Sequence, residues 1–369
     1  MTILRAGIIG LGKITQIKHL SYLFDSPHYE IAAICDISTD LMEYIAQKYN
    51  VAQTHRDYEE LLSQQNLDVV FVLTHDHVEP IVKSLEAGFH VFTEKPLCWT
   101  LTEAKKIQAA LALSNKKLMI GYMKRYIPAY RDIRQHYSSA DIKIIHSRTF
   151  ASGVKGALPA SYEIRKDDTN KSLESETQKS IIHRISEEYQ FSEEQAKNYK
   201  YLLELGIHNL NLIGDFLGSP LEIEYSSFWD SRVSHDNSSS KENVRTHRMY
   251  LAVMKFRNDI KLIFEVGAFF DNKKNWDDRI FVSGNDMDYS IKFPNPFIKK
   301  LPVIVEKSGI LNDTIFNSTE TFFFEDAFML ELDSFYQSIV NDLLVETGYE
   351  DGRKDMELII EMVRKGQSS

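Results

Sequence analysis

The sequence predicts an α/β protein: a doubly wound parallel sheet at the N-terminus, followed by an α+β region with a large, mostly antiparallel, open-faced sheet. Three observations predict it. Through residues 1–123, short β-branched runs alternate with helical stretches, the pattern of βαβ units and a parallel sheet. Those runs are apolar on both faces, as in Val69-Val70-Phe71-Val72-Leu73, which burial between two helix layers requires. After residue 124 the runs lengthen and alternate with polar positions, the pattern of an antiparallel sheet with one face on a core.

Taken in order, strands are expected at 3–9, 30–35, 68–73, 90–93 and 117–123, and helices at 13–24, 41–49, 80–87 and 102–114. The later strands are expected at 143–150, 221–229, 248–256, 260–269 and 279–293. Asn258-Asp259 and Gly284-Asn285-Asp286 supply turn chemistry between them. Helices are expected over 327–345 and 352–365. The domains predicted are 1–123 and 124–369, in keeping with a length of 369 residues. From 152 to 200 the chain is polar, with weak helical periodicity near 181–189 and 192–203. A long excursion of this kind is either a solvated surface segment, the reading favoured here, or a substrate lid.

Composition narrows the function classes. Hydrophobic residues make up 43% and charged residues 26%, close to a globular average and far from disordered or fibrous classes. A formal net charge of -10 argues against nucleic-acid or anionic-membrane partners, which need a positive surface. No apolar run reaches the length of a membrane span, about 18 residues. Cys35 and Cys98 form neither a disulfide nor a metal pattern, and no leader precedes the first strand, so a reducing cytoplasm is expected. His75-x-His77 lacks a third convergent ligand, and no metal is expected.

Gly7-Ile8-Ile9-Gly10-Leu11-Gly12-Lys13-Ile14-Thr15 follows the first strand and opens a helix. Gly10 suits a tight turn, Gly12 lets backbone approach a pyrophosphate, and the helix N-terminus offers free N–H groups to its charge. Such a turn alone is weak. Its context is stronger: the second strand ends in Cys35-Asp36, placing a carboxylate 24 residues after Gly12, where it would accept hydrogen bonds from ribose hydroxyls. Asp36 would also repel a 2′-phosphate, and Ile37-Ser38-Thr39 provide no arginine to offset that, so NAD is expected ahead of NADP. Asp36 also fits as a residue preceding a helix start.

Glu94-Lys95-Pro96 ends the fourth strand, inside Ala87-Gly88-Phe89-His90-Val91-Phe92-Thr93-Glu94-Lys95-Pro96-Leu97. Open α/β sheets bind ligands at the carboxyl ends of their strands, which puts Lys95 at the crevice. Together with the glycine turn, this segment resembles the Gfo/Idh/MocA family of sugar and cyclitol dehydrogenases, whose N-terminal domain is a Rossmann fold. Further matches are His19 after the glycine turn and His77 eleven residues before Gly88. Gly121-Tyr122-Met123-Lys124-Arg125-Tyr126-Ile127-Pro128 is similar to the family's link between domains, and Asp351-Gly352-Arg353 to its closing helix. The loop Thr74-His75-Asp76 is shorter than the family's usual form. Glu204-Leu205-Gly206-Ile207-His208-Asn209-Leu210-Asn211 resembles the family's Asp-x-Gly-x-His-x-x-Asp, with both acidic positions changed.

Without the family, 204, 208, 211 and 215 fall on one helical face, so Glu204, His208, Asn211 and Asp215 form a polar stripe amid leucines, facing water or a polar cavity. An exposed amphipathic helix explains that equally well; the resemblance implies a catalytic face. It further implies that Gly7, Gly10, Gly12, Lys13, Ile14, Asp36, Thr74, His77, Glu94, Lys95, Pro96 and Arg125 serve the cofactor. Lys95, Tyr122, Glu204, His208 and Asn211 would meet a small hydroxylated substrate. Alcohol oxidation needs a base and a donor to steady the developing alkoxide. His208 is the expected base, Lys95 the donor, and Glu204 a carboxylate for a neighbouring hydroxyl or the imidazole. Lys124, Arg125, Arg131 and Arg134 would tolerate a phosphate or serve as solvated helix charges. The resemblance implies a homodimer or homotetramer formed through the second sheet. An NAD-dependent glycosidase, an internal redox enzyme that keeps its nucleotide, and a non-catalytic sensor are the alternatives.

Overall fold

In a computed structural model, the chain is described for residues 2–136, 141–152, 164–165, 171–232, 246–269, 276–298, 301–311, 313–323 and 325–368. It divides into two compact units. The first comprises Met1–Met123, Tyr162–Lys197 and Phe328–Met356; the second comprises Lys124–Ser161, Asn198–Ala327 and Glu357–Ser369.

The first unit holds strands β1 (Leu4–Ile9), β2 (Tyr29–Cys35), β3 (Gln53–His55), β4 (Val69–Val72), β5 (His90–Glu94) and β6 (Leu118–Gly121). They form one sheet in the order β3-β2-β1-β4-β5-β6, every pair parallel. This is the doubly wound arrangement predicted, and the strand order reverses beside β1. Between these strands run α1 (Leu20–Asp25), α2 (Thr39–Tyr49), α3 (Tyr58–Leu62), α4 (Val78–Glu86) and α5 (Leu101–Ser114). Ile8, Ile34, Val70, Phe71, Val91 and Phe92 are fully buried in the sheet, as the continuous apolar runs require. Ser38 caps α2, and Thr100 with Glu103 forms a reciprocal capping box on α5. The first helix departs from expectation: Thr15–His19 is a π turn, and only then does α1 begin.

The second unit carries β7 (Ile142–Ser152), β8 (Glu222–Arg232), β9 (Thr246–Lys255), β10 (Lys261–Phe269), β11 (Asp277–Gly284), β12 (Met287–Phe293), β13 (Pro302–Leu311), β14 (Thr314–Phe323) and β15 (Gln367–Ser368). They make a nine-stranded sheet in the order β14-β13-β12-β11-β7-β10-β9-β8-β15. Only β10 with β7 and β15 with β8 run parallel. Tyr250, Ala252, Met254, Leu262, Phe264 and Val266 are buried, while the residues between them are partly exposed, so one face meets the core. The stretch expected at 279–293 is two strands, with the turn at 284–286. The two long strands β13 and β14 were not expected.

The polar stretch from 152 to 200 differs from a solvated excursion where it is described. Helices span Lys171–Tyr189 and Glu193–Tyr201, and Ile181, Ile185, Ala196 and Tyr199 are completely buried. A single apolar residue per turn is enough to anchor a helix whose other faces are charged, which explains the weak periodicity. The rest of that expectation, at 153–163 and 166–170, lies outside the described residues.

Candidate functional site

The glycine turn has the geometry its residues predict. Gly10 adopts φ +93°, and a Cβ there would lie 2.8 Å from Thr74 Cγ2 and 2.9 Å from the Thr74 nitrogen. Only glycine fits so close to the loop after β4. A Cβ on Gly12 would meet nothing within 4 Å, so the chain itself does not need a glycine there. An incoming pyrophosphate would, because it must reach the backbone. Thr15 turns its hydroxyl back to the Gly10 carbonyl at 3.0 Å. Asp36 closes the turn from the neighbouring strand: Oδ2 accepts from the Leu11 N–H at 2.7 Å and Oδ1 from the Ser38 N–H at 2.9 Å. Each carboxylate oxygen retains a lone pair for a further donor. Gly12, Lys13 and Ile14 are exposed or half-buried beside it.

A second group forms at the end of β5. Glu94 Oε1 lies 2.7 Å from His19 Nε2, and Glu94 Oε2 accepts from the Lys95 N–H at 3.3 Å. Thus the carboxylate links the first helix to the chain carrying Lys95. Lys95 is half-buried, Pro96 is buried, and the peptide joining them is cis. His77 is buried, with Nδ1 3.1 Å from the Thr74 carbonyl and Nε2 3.0 Å from the Leu97 carbonyl. It staples the loops after β4 and β5 rather than presenting its ring to a ligand. Gly7 also differs from expectation: inside β1, its absent Cβ makes room for Leu61 and Leu67, so it serves packing. Tyr122, expected at the substrate, is 1% exposed and sits in the core.

The second unit positions His208 on a helix, Ile207–Leu217, that follows a π turn at Leu202–Gly206. The π turn inserts an extra residue into the helical repeat, so Glu204 and His208 are not stacked as a straight α-helix would stack them. Glu204 is instead paired with Lys200. Gly206 lets the helix approach β10, where a Cβ would lie 3.2 Å from Phe264 and Val266. Further along, the expected polar stripe is occupied from within. Arg125 reaches Asp215 at 2.7 Å and Asn211 at 3.3 Å, while Arg134 and Tyr130 also bind Asp215, at 3.1 and 2.6 Å. Asn211 and Arg125 are both buried in this network, which departs from the substrate and cofactor roles expected of them.

Sequence reasoning missed Asn209. It is completely buried next to His208, its amide nitrogen within 3.1 Å of Ser147 Oγ, Thr149 Oγ1 and Asp278 Oδ1. Lys124 donates to Asn209 Oδ1 at 2.7 Å and pairs with Asp278 at 2.6 Å, its ammonium 4.0 Å from the centre of the Phe293 ring. A buried ion pair with this many partners fixes the rotation of the His208 helix. Lys124 is thereby committed to Asp278, as Arg125 is to Asp215, which departs from the phosphate cluster the sequence would have tolerated. Both cysteines are buried, and burial pushes the Cys35 thiol up to about 12 and the Cys98 thiol well above its ordinary value. Neither is a thiolate at neutral pH. Among the described residues no three His, Cys, Asp or Glu side chains gather as a metal site, and no helix is long and apolar enough to cross a membrane.

Residues 4–122 match the sequence profile of the oxidoreductase family with an NAD-binding Rossmann fold, Gfo/Idh/MocA. They belong to that family. Inositol 2-dehydrogenase of Salmonella paratyphi B is 30% identical over 155 residues, which are 40% of this chain and 46% of that enzyme. The match thus spans under half the length of that Gfo/Idh/MocA relative. Among solved structures, KijD10, a 3-ketoreductase from Actinomadura kijaniata in complex with NADP and TDP-benzene, aligns with a TM-score of 0.70 at 16% identity, covering 100% of this chain and 99% of its own. The UDP-N-acetylglucosamine 3-dehydrogenase GnnA from Acidithiobacillus ferrooxidans aligns at 0.71 and 16%, covering 99% and 98%. At such identities the likeness is one of fold, and it extends through both units.

Proposed function

We propose that this chain is an NAD(P)-dependent oxidoreductase, moving a hydride between a nicotinamide and a secondary alcohol of a sugar, amino sugar or cyclitol, with NAD preferred. The observation that carries the reading is the tie of Asp36 to the glycine turn: its carboxylate holds the Leu11 amide at 2.7 Å. That tie sets a negative charge where the ribose hydroxyls of a dinucleotide would arrive and where a 2′-phosphate would be repelled. The inositol and sugar-nucleotide relatives support the substrate class.

Bound NAD(P) supplies the hydride chemistry. Lys95 donates a hydrogen bond to the reacting hydroxyl, and His208 accepts its proton as the C–H bond gives up hydride. Glu204 remains in this reading as a carboxylate for a neighbouring hydroxyl. The sheet of the second unit supports a homodimer or homotetramer, because Leu251, Val253, Ile263 and Phe281 stay half-exposed on its outer face. A reducing cytoplasm suits the two free thiols.

Purified protein mixed with NAD or NADP and a panel of polyols, sugar nucleotides and glycosides tests this. Nicotinamide absorbance should rise without release of an aglycone. Cleavage without net absorbance selects the glycosidase, and silence in both channels selects the sensor. With an active substrate in hand, Asp36→Ala should narrow the NAD-to-NADP ratio of kcat/KM by about tenfold, the effect of one charge-assisted bond. An unchanged ratio contradicts the ribose role.

A further inference from the structure

The Lys171–Tyr189 helix carries polar groups at 178, 184, 188 and 189, spaced so that they share one face with the buried Ile181 and Ile185. Every one of the four meets a segment bordering the glycine turn's crevice. Gln178 Nε2 lies 2.6 Å from His75 Nε2, and Arg184 Nη2 lies 2.9 Å from Asp76 Oδ2, both on the loop after β4. Arg184 Nη1 also reaches Glu103 Oε1 at 3.1 Å, while Glu188 and the Tyr189 hydroxyl accept the first amides of α5, Thr102 N–H and Leu101 N–H, each at 2.9 Å. Glu103 Oε2 in turn accepts from the Trp99 and Thr100 amides. The chain from Lys95 to Thr100 therefore ends on a carboxylate that Arg184 holds.

The same inserted region also touches the glycine turn. Gln16 donates to the Leu11 carbonyl at 2.9 Å and exchanges two 3.1 Å bonds with the backbone of Arg165. Solvated surface helices do not distribute their bonds in this way. A planar guanidinium bridging a carboxylate on the loop after β4 and one in the first turn of α5, which itself holds the end of the loop after β5, fixes the spacing of those segments, which a point-charge ammonium could not do equally well.

We propose that Arg184 is a positioning residue for the dinucleotide: through Asp76 and Glu103 it sets the separation of the loops after β4 and β5, and thereby slows release of the bound nucleotide. The inference rests on the reading of the crevice as an NAD(P) site. Loops at the carboxyl ends of β4 and β5 border the ligand in this sheet topology, and Thr74, two residues before Asp76, packs on Gly10.

Stopped-flow displacement of NADH from the full chain tests it, with thermal melting recorded on each variant. Arg184→Ala should release NADH about tenfold faster, the effect of one charge-assisted contact. Arg184→Lys should fall between the variant and the wild type. Asp76→Ala should release NADH faster than the wild type but no faster than Arg184→Ala, since Glu103 still holds the guanidinium, and the double variant should be no faster than Arg184→Ala, which already lacks both contacts. An Arg184→Ala protein that melts lower yet releases NADH at the wild-type rate overturns the inference and leaves the helix a structural cover. Should Arg184→Ala fail to fold, Arg184→Lys and Asp76→Ala decide it, and wild-type release rates in both overturn it. A wild-type protein that binds neither NADH nor NADPH removes the cofactor reading itself, and this inference with it.

Discussion

In the first unit most bonds to the candidate residues come from main-chain groups: the Leu11 and Ser38 amides on Asp36, the Lys95 amide on Glu94, the Thr74 and Leu97 carbonyls beside His77, with the His19 ring adding a side-chain bond to Glu94. In the second, side chains hold the helix bearing His208, with Lys124, Ser147, Thr149 and Asp278 converging on Asn209. A main-chain scaffold tolerates most substitutions around it, because every residue type but proline brings the same amide. A side-chain scaffold does not. The candidate residues of the second unit should accordingly be the more fragile set, and that fragility should reside in residues proposed to touch no ligand.

The largest effect that would break this comparison is at Lys124. Lys124→Met leaves the Asp278 carboxylate buried without its counter-charge, and should cost about 3–5 kcal/mol in a urea denaturation measurement. Adding Asp278→Asn in the Lys124→Met background should recover part of that loss, since the unpaired charge is removed with it. A loss below about 1 kcal/mol for Lys124→Met, the range of an exposed pair, would mean the network does not fix the helix.

A smaller effect sharpens the contrast, because the first unit contains a buried carboxyl outside its main-chain scheme. Glu331 is completely buried, its Oε1 has no hydrogen-bond partner, and burial followed by the nearby Glu94 charge pushes its carboxyl well above the usual range. The folded state thus keeps a proton that the unfolded chain releases above the ordinary carboxyl pKa. Stability falls as pH rises through that window, by about 1.4 kcal/mol per pH unit. Glu331→Gln has no proton to release, so its melting temperature should exceed the wild type's by a margin that grows from pH 4.5 toward neutrality. A margin independent of pH would show that Glu331 ionises in the folded protein.

The same contrast explains what was legible in the sequence. Gly10, Gly12 and Asp36 carry their meaning in local order, because a tight turn, an open backbone and an acid at a strand end are short-range requirements. The parallel sheet was legible from unbroken apolar runs, and the turn at Asn258-Asp259, both at positive φ, from its residue types. Asn209, Asp278 and Arg184 were not, since nothing near them in sequence marks a bond to a residue more than 60 positions away. The strands β13 and β14 escaped notice because Glu306, Lys307 and Ser308, and then Asn317 to Glu320, interrupt their apolar alternation at a partly exposed part of the sheet. Both π turns shift a helical register without any residue that announces it, which is why the stripe from Glu204 to Asp215 looked straighter than it is.

The claim on which the account turns is that the ammonium of Lys95 and the imidazole of His208 serve one hydroxyl proton. Steady-state turnover of Lys95→Ala, His208→Ala and the double variant, on whichever alcohol the wild type oxidises, measures it directly. Each single variant should lose about 10² to 10⁴ in kcat while still binding NADH, and the double should lose little more than the worse single one, because the two groups act as a unit. Full turnover in either single variant, or losses that multiply in the double, would contradict it.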